Sequence, residues 1–369
     1  MTEEEGSFSL SSEKPDSWRW QLRNRITTVE QLTKYVDLIP EELDGIKAIH
    51  GKGLGLNLTP YYASLMDRKD PNCPIRKTAV PRIEETIIKK YEMLDSLAED
   101  KCSPIPGLVH RYPDRVLLLV TDMCASYCRY CTRRRLVGHK ERAITKSDFK
   151  EVVKWLKAHP KVRDVLISGG DPLVLETTRL EEILRDLYAI PHIEIIRIGT
   201  KAPVTMPQRI TSSLCNTLRN YHPLFININF IHPKEITEQC QEACIKLSEA
   251  GIPLGSQTVL LKGVNDDVRT MRKLMHDLLK IRVKPYYIYQ CDLVQGADHF
   301  RTSINRGVDI VEHLRGWTTG FAVPTYVIDA PGGGGKVPVN PNYIVSKKKD
   351  KIVLKNFKRK EYDYVYGGE

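Results

Sequence analysis

Hydrophobic positions follow different rhythms in different parts of this 369-residue chain. In the first third they recur at helical spacing, interrupted by prolines, without the alternation typical of strands. Thr28, Pro40 and Pro81 each mark the predicted start of a helix, the first as a cap and the prolines in a first turn. We therefore predict a helical N-terminal region over 17–105. A disordered segment, 1–16, precedes it, because these residues have almost nothing to bury.

From residue 106 the pattern changes to short apolar runs that alternate with amphipathic segments. This rhythm predicts buried strands, each followed by a helix that packs on the sheet. Strands connected in this way run parallel with right-handed crossovers. Six such units are too few for a complete eight-fold barrel, so we predict an α/β fold with a partial (βα)6 TIM-like barrel over 106–320. The six predicted strands are 115–121, 164–168, 194–198, 224–229, 253–261 and 285–289.

The remaining residues, 321–369, form a short C-terminal extension in this interpretation. Two apolar runs beginning at Tyr343 and at Lys351 are separated by Lys349-Asp350 and predict a closing hairpin. Within the preceding amphipathic segments, Cys240 and Cys244 fall at helical spacing, so we expect them in the core rather than on a metal.

Three cysteines follow the first predicted strand at a C-x3-C-x2-C spacing, namely Cys124, Cys128 and Cys131. They lie on the loop that leaves the carboxyl end of that strand, which is where chemistry collects in barrels and open parallel sheets. Three thiolates on a short loop, without a fourth cysteine close by, indicate an iron–sulfur cluster with one iron free for another ligand. The alternatives are unconnected cysteines or a zinc site, although zinc usually takes paired C-x2-C ligands or nearby histidines.

An open iron can bind the amino and carboxylate groups of S-adenosylmethionine, and electron transfer then yields a 5′-deoxyadenosyl radical. The cysteine spacing resembles that of the radical S-adenosylmethionine superfamily. This resemblance predicts a turn of small residues after the next strand, and Ser168-Gly-Gly-Asp171 stands there. The residues that we expect to contact S-adenosylmethionine are Tyr130, Ser168, Gly169, Gly170, Asp171 and Gln257.

A second candidate centre is Lys336, which four consecutive glycines precede. A P-loop is the obvious competitor, but it requires a serine or threonine after the lysine and then a helix, which Pro338 disfavours. A lysine in such a tightly turning loop can form a Schiff base with pyridoxal phosphate. From the residues alone, a purely structural loop is equally compatible.

Several motifs, in the same order along the chain, resemble the lysine 2,3-aminomutases, a family of radical S-adenosylmethionine enzymes. The similarity extends from about Trp18 to about residue 356. The motifs are Arg111-Tyr-Pro-Asp-Arg115, Cys128-Arg-Tyr-Cys-Thr-Arg-Arg-Arg135, Gln208-Arg-Ile-Thr211, Pro285-Tyr-Tyr-Ile-Tyr-Gln-Cys-Asp292, His299-Phe-Arg-Thr302 and Asp329-Ala-Pro-Gly-Gly-Gly-Gly-Lys336.

The resemblance implies an isomerase that interconverts L-lysine and L-β-lysine. The amino group would migrate by a 2,3-shift, through a pyridoxal phosphate aldimine and a 5′-deoxyadenosyl radical. The resemblance also implies two cofactors. A [4Fe-4S] cluster would be bound by Cys124, Cys128 and Cys131. Pyridoxal 5′-phosphate would be bound to Lys336, and the candidates for contact with its phosphate are Arg111, Tyr112 and Arg115.

For the substrate, the resemblance places the distal ammonium between Asp292 and Asp329, and the α-carboxylate on Arg133. Two carboxylates suit one buried cation because an unpaired buried charge is costly, and the planar guanidinium matches a carboxylate. Arginine is an alternative substrate, since the same aspartates suit a guanidinium. A mutase that serves translation-factor modification is a second alternative, although those proteins lack the four-glycine loop. A glutamate-specific relative is expected to replace the aspartates.

The resemblance also implies an external electron donor of the flavodoxin or ferredoxin type and a homo-oligomer, either a dimer or a tetramer. The best-studied lysine enzymes carry a structural zinc, with one cysteine at the position of Asp267 and three in the C-terminal tail. No cysteine follows Cys291 here, so we expect no structural zinc. Asn229 replaces the histidine that is usual at its position.

Composition and charge bear on the binding partners and the location of the protein. The net charge of +10 and pI near 9.0 could indicate a nucleic-acid-binding protein. Much of the excess positive charge lies in lysines of the C-terminal tail without an aromatic platform, so we predict that these lysines form a solvated surface. No apolar run is long enough for a membrane helix, and the acidic N-terminus resembles no signal peptide, so we expect a cytoplasmic protein. Its nine cysteines then favour reduced thiols over disulfides.

Overall fold

The computed structural model describes residues 17–51 and 54–366, so the predicted disordered segment 1–16 lies outside the described residues. The α-helices in these ranges are α1 (Trp18–Arg23), α2 (Val29–Leu32), α3 (Pro40–Ile49), α4 (Pro60–Ser64), α5 (Pro74–Ala79), α6 (Lys146–Lys157), α7 (Thr177–Tyr188), α8 (Ala202–Thr205), α9 (Ser212–Leu218), α10 (Glu238–Glu249), α11 (Val268–Lys280) and α12 (Ile304–Leu314). The strands are β1 (Leu108–Tyr112), β2 (Arg115–Thr121), β3 (Asp164–Gly169), β4 (Ile195–Thr200), β5 (Leu224–Asn229), β6 (Leu254–Leu260), β7 (Val283–Gln290), β8 (Thr325–Ala330), β9 (Gly335–Pro338), β10 (Ile344–Lys347), β11 (Lys351–Lys355) and β12 (Glu361–Val365).

Strands β1 to β9 form one sheet in which spatial order follows chain order. Strands β2 to β8 pair in parallel, while β1 and β9 pair antiparallel at the two edges. The predicted partial barrel is confirmed, and six of its parallel strands are the predicted ones. The seventh parallel strand, β8, and the edge strand β9 extend the sheet beyond residue 320, the predicted end of the barrel. Strand β8 is as long as β3 to β5, but it is followed by the glycine loop and β9 rather than by a helix, so it does not continue the strand–helix rhythm.

Side chains alternate between the two faces of each strand. This alternation places an apolar core between the sheet and the helices and a cavity inside the barrel. In β4, Ile196 and Ile198 are buried, and they belong to the core between the sheet and the helices. Ile195, Arg197 and Gly199 point the other way and line the interior cavity. A polar and small inner row leaves space in the barrel, whereas the apolar outer row binds the helices.

The helical N-terminal region packs over the carboxyl ends of the strands. Thr59 Oγ1 donates to the carbonyl of Thr205, just after β4, at 2.5 Å. The Tyr62 hydroxyl donates to the carboxylate of Glu235, after β5, at 2.7 Å, and both residues are buried. Polar contacts across a buried interface require matched partners, so this region is fixed against the barrel.

The predicted local elements are mostly present. Thr28 caps α2 and Pro40 begins α3, whereas Pro81 is followed only by a short 3₁₀-helix. Cys240 and Cys244 are fully buried on α10, as expected. The closing hairpin is formed by β10 and β11, and β12 adds a third strand to it. Within the described ranges, no helix has the length and apolarity to cross a membrane.

Candidate active site

A cavity of about 920 Å³ occupies the barrel interior. Every residue that the sequence analysis assigned to a cofactor or to the substrate lines this cavity, although those residues span more than 220 positions of the chain. They are Arg111, Tyr112, Arg115, Cys124, Cys128, Tyr130, Cys131, Arg133, Ser168, Gly169, Gly170, Asp171, Gln257, Asp292, Asp329 and Lys336.

The cysteine loop that follows β2 is held by residues far away in the chain. Arg25 and Asn57 each donate a hydrogen bond to the carbonyl of Cys124 at 3.1 Å. Arg129, within the loop, is buried and donates to both carboxylate oxygens of Glu85 at 2.9 and 2.7 Å. The N-terminal region therefore determines the path of the loop, and so the direction in which its thiols point.

The three thiols fit an iron–sulfur cluster better than a single metal ion. Burial raises the pKa of all three, and a bound metal offsets this cost because it deprotonates its thiol ligands. Among the described residues, no three His, Cys, Asp or Glu side chains lie together as ligands for one ion. Thiolates of a [4Fe-4S] cluster bind different irons and need not converge on one point. The described lining contains no further cysteine or histidine, so three thiolates would leave one iron open.

The glycine turn after β3 packs directly on the cysteine loop. The backbone N–H groups of Gly170 and Asp171 donate to the carbonyls of Thr121 and Met123 at 2.6 and 2.7 Å. A Cβ on Gly169 would lie 2.1 Å from the Thr121 carbonyl oxygen, and one on Gly170 would lie 2.0 Å from that of Met123. Only glycine permits this approach, which places the turn beside the thiols.

The Asp171 carboxylate holds this turn in place. Its oxygens accept hydrogen bonds from the N–H of Leu173 at 3.0 Å, the hydroxyl of Thr200 at 2.6 Å and the N–H of Lys201 at 2.8 Å. Burial raises the pKa of Asp171, and these three donors oppose that shift. With its oxygens engaged in this way, Asp171 connects the ends of β3 and β4.

Lys201 is a cavity residue that the sequence analysis missed. Its ammonium donates to the Glu235 carboxylate at 2.7 Å and to the Asn229 carbonyl at 3.2 Å. The Asn229 side-chain oxygen also accepts a hydrogen bond from Tyr130 at 2.8 Å. A lysine directly after a predicted strand was the available signal, because strand carboxyl ends converge on the site.

The loop before Lys336 brings this lysine against β1 and β8. Gly335 has a φ of +82°, and a Cβ there would lie 2.8 Å from the Tyr112 hydroxyl oxygen. That same hydroxyl accepts the backbone N–H of Lys336 at 2.8 Å. The lysine Nζ lies 3.2 and 3.3 Å from the two carboxylate oxygens of Asp329, its partner across the antiparallel pair.

Two carboxylates stand close together near Lys336. Burial raises the pKa of Asp292 to about 7, and the negative charge of Asp329 adds to the shift. A carboxylate whose proton affinity is raised by burial and by a neighbouring carboxylate is stabilised by a cation beside it. The geometry therefore fits the distal ammonium of a basic amino acid.

Arginines on the first two strands fit an anionic phosphate beside Lys336. The buried Nε of Arg111 has no hydrogen-bond partner among the described residues, although its Nη2 donates to the carbonyl of Leu97. The guanidinium of Arg115 lies 3.8 Å from the ring centre of Tyr112. A cavity that contains an unpartnered guanidinium nitrogen and a nearby lysine suits a phosphate-bearing aldehyde such as pyridoxal phosphate.

Arg133 lies between the cysteine loop and the glycine turn. Its Nε donates to both carboxylate oxygens of Glu99, at 2.9 and 3.1 Å, and its Nη1 donates weakly to Ser168 Oγ at 3.4 Å. Glu99 was not identified from the sequence, because nothing in the local pattern distinguishes it from other acidic residues of the N-terminal region.

Comparisons with known proteins agree with this geometry. Residues 118–275 match the model of the radical SAM superfamily, and residues 311–364 match a model described as lysine-2,3-aminomutase. The chain is 52% identical over 349 residues to the L-lysine 2,3-aminomutase of Fusobacterium nucleatum, covering 95% of this chain and 82% of that protein. It is 53% identical over 342 residues to the L-lysine 2,3-aminomutase of Clostridium subterminale, covering 93% and 82%.

A relative with a different named substrate is also similar. The glutamate 2,3-aminomutase of Clostridioides difficile is 46% identical over 345 residues, covering 94% of this chain and 81% of that protein. The radical SAM match implies S-adenosylmethionine and a [4Fe-4S] cluster, for which the three thiols are suited. With identities above 50% over most of both sequences, the chain belongs to the lysine 2,3-aminomutase family of the radical S-adenosylmethionine superfamily.

Proposed function

We propose that this protein is an L-lysine 2,3-aminomutase, an isomerase that interconverts L-lysine and L-β-lysine. The observation that carries the proposal is the pair Asp292 and Asp329, which lines the same cavity as the three cysteine thiols and Lys336. Radical generation, amine chemistry and recognition of a side-chain cation thus have candidate residues in one enclosed space. The named activity of the lysine relatives supports the same assignment.

The negative charge at Asp292 and Asp329 supports lysine over glutamate. A glutamate side chain would place a third carboxylate beside Asp292 and Asp329. Like charges at short range in a buried site cost free energy, whereas an ammonium compensates the charges already there. The arginine guanidinium has the right charge as well, so arginine is the alternative substrate that the experiment must include.

Two cofactors would supply the chemistry, and residues of the cavity would hold them. Cys124, Cys128 and Cys131 would hold the cluster, which with S-adenosylmethionine supplies a radical that removes hydrogen from carbon. Lys336 would hold pyridoxal phosphate, which when bound supplies a conjugated ring that carries the migrating amino group. Tyr112 contacts Lys336, Arg111 and Arg115 line the same cavity, and these three residues would contact the phosphate. Tyr130, Gln257 and the turn from Ser168 to Asp171 would surround S-adenosylmethionine.

The protein's own groups fix the substrate at its two ends. Arg133 would bind the α-carboxylate through the guanidinium edge that faces the cavity, and Asp292 and Asp329 would bind the distal ammonium. Holding both ends limits the motion of the carbon chain and aligns the α and β carbons with the reacting groups. The N-terminal region packs over the carboxyl ends of the strands, where it would shield the radical from solvent on that side.

Other expectations remain part of the proposal. We expect an external one-electron donor of the flavodoxin or ferredoxin type, a homo-oligomer, and a cytoplasmic location. We expect no zinc ligand at position 267, because Asp267 caps α11 with its carboxylate at 2.9 Å from the Thr270 N–H.

The test is anaerobic reconstitution with iron, sulfide, pyridoxal phosphate and S-adenosylmethionine under a strong reductant. Lysine, arginine and glutamate are supplied separately, and the products are resolved by chromatography. We expect β-lysine from lysine as the main product. If neither basic amino acid yields a β-isomer, the substrate assignment fails. Borohydride trapping of pyridoxal phosphate at a residue other than Lys336 would overturn the cofactor assignment independently.

A further inference from the structure

A short part of the N-terminal region, residues 95–102, connects the two halves of the site. Leu97 and Glu99 line the cavity. On one side of this 95–102 segment, Glu99 contacts Arg133 from the cysteine loop. On its other side the segment packs on the glycine loop, since a Cβ on Gly333 would lie 3.5 Å from the Ala98 Cβ and 3.7 Å from the Cys102 Sγ. The segment thus contacts both the radical-generating loop and the lysine loop.

Glu99 is placed to orient a guanidinium. Its side chain is 3% exposed and that of Arg133 is 18% exposed. The Nε of Arg133 donates to both Glu99 oxygens, and Nη2 lies 2.8 Å from Oε1. A guanidinium has two edges that can each bind a carboxylate through parallel hydrogen bonds. Glu99 occupies the Nε edge, so the edge that includes Nη1 is the one that faces Ser168 and the cavity.

Charge around Glu99 keeps it ionised in this role. Burial would raise its pKa, but the guanidiniums of Arg133 and Arg135 outweigh burial and hold the pKa of Glu99 below its usual value. Arg135 Nη1 lies 3.5 Å from Glu99 and its Nη2 lies 2.8 Å from the exposed Asp100. A charged hydrogen-bond partner positions a guanidinium more strongly than a neutral one.

We infer that Glu99 is a positioning residue that holds Arg133 with its free edge toward the α-carboxylate of the amino acid. The inference rests on the proposed function, because it assumes an amino-acid substrate in the cavity. In this arrangement both carboxylate oxygens of Glu99 are engaged by Arg133. Glu99 influences substrate binding only through Arg133. Substitution of Glu99 should therefore weaken the binding of ligands that carry a carboxylate and of no others.

The test compares two ligands on three variants of the reconstituted holoenzyme, without reductant so that no turnover occurs. The ligands are L-lysine and 1,5-diaminopentane, which has the same chain and distal amine but no carboxylate. The variants are Glu99→Gln, which keeps the size and loses the charge, Glu99→Asp, which keeps the charge on a shorter stem, and Asp100→Asn as the matched control. Binding is followed through the absorbance of bound pyridoxal phosphate.

We expect Glu99→Gln to weaken lysine binding about tenfold or more, the loss typical of a charged hydrogen bond, and to leave 1,5-diaminopentane within about twofold. Glu99→Asp should show the same selectivity with a smaller loss, and it replaces Glu99→Gln if that variant does not fold. Asp100→Asn should change neither ligand. Equal losses for both ligands would reveal a merely structural role and overturn the inference, as would unchanged lysine binding. Equal binding of the two ligands by the unmodified enzyme would also overturn the inference, because Arg133 would then not hold the carboxylate. If lysine causes no change in the absorbance of the unmodified enzyme at all, the proposed function fails instead.

Discussion

Acidification should weaken lysine binding through Asp292. Burial and the neighbouring Asp329 raise the pKa of this carboxyl group to about 7 in the protein without substrate, although Lys336 and Arg111 oppose the shift. Below that pH it is neutral and attracts an ammonium weakly, whereas above it the ionised pair compensates the substrate charge. Bound lysine favours the ionised form, so binding must release the proton that Asp292 carries at low pH.

The size of the effect follows from the fraction of Asp292 that is ionised. With a pKa of about 7, roughly half of the free protein is ready to bind at neutral pH, and about a tenth at a pH one unit lower. The apparent Kd for lysine should therefore rise about tenfold between about pH 8 and about pH 6, which corresponds to ~1.4 kcal/mol. The dependence should level off above about pH 8, because the group is then fully ionised.

Equilibrium binding to the holoenzyme without reductant measures this directly. Norleucine serves as the matched ligand, since it has the α-amine and α-carboxylate of lysine but no distal ammonium. Asp292→Asn serves as the matched variant, in which the carboxyl that titrates is gone. We expect the pH dependence for lysine to exceed that for norleucine by about tenfold, and the excess to disappear in Asp292→Asn. An equal pH dependence for both ligands, or an excess that persists in the variant, would refute the reasoning.

Two further predictions concern the support of the cysteine loop. Gly170→Ala should abolish cluster assembly, measured as bound iron, because its Cβ would lie 2.0 Å from the Met123 carbonyl oxygen. Gly320→Ala, with open space around its Cβ, should retain full iron content, and normal iron in Gly170→Ala would disprove the packing argument. Arg129→Met should lower the free energy of unfolding in urea by about 3 kcal/mol, because it leaves the Glu85 carboxylate buried without its main partner. A loss below about 1 kcal/mol would show that Arg134, the second partner of Glu85, compensates.

Local patterns were sufficient to predict the elements that carry the site. The alternation of apolar runs and amphipathic segments predicted six of the parallel strands, because burial on a sheet imposes its period on the residues themselves. The cysteine spacing predicted the cluster loop, since three ligands for one cluster must lie within a few residues of each other when one loop supplies them all. The glycine turn at Gly169 and Gly170 followed from its position after the next strand. That all assigned residues line one cavity is therefore a consequence of strand order.

Other features depended on which distant segments meet. Strand β8 was not predicted because no helix follows it to complete a strand–helix unit, and its place in the sheet depends on pairing with β7. The helix predicted to begin at Pro81 is only a short 3₁₀-helix in the structure, and its Glu85 is bound by the distant Arg129.

What the sequence by itself determined, then, is the chemistry available to this protein: three thiols on one loop, a lysine after four glycines, and a strand–helix rhythm that brings strand ends together. The tertiary structure decided how those groups are oriented. Glu99 holds Arg133 across 34 positions of chain, and Asn57 holds the Cys124 carbonyl across 67. Glu99 and Asn57 reach these partners because the N-terminal region packs on the barrel. One acidic or amide residue looks like any other in the sequence, and only burial beside a particular donor gives it a role.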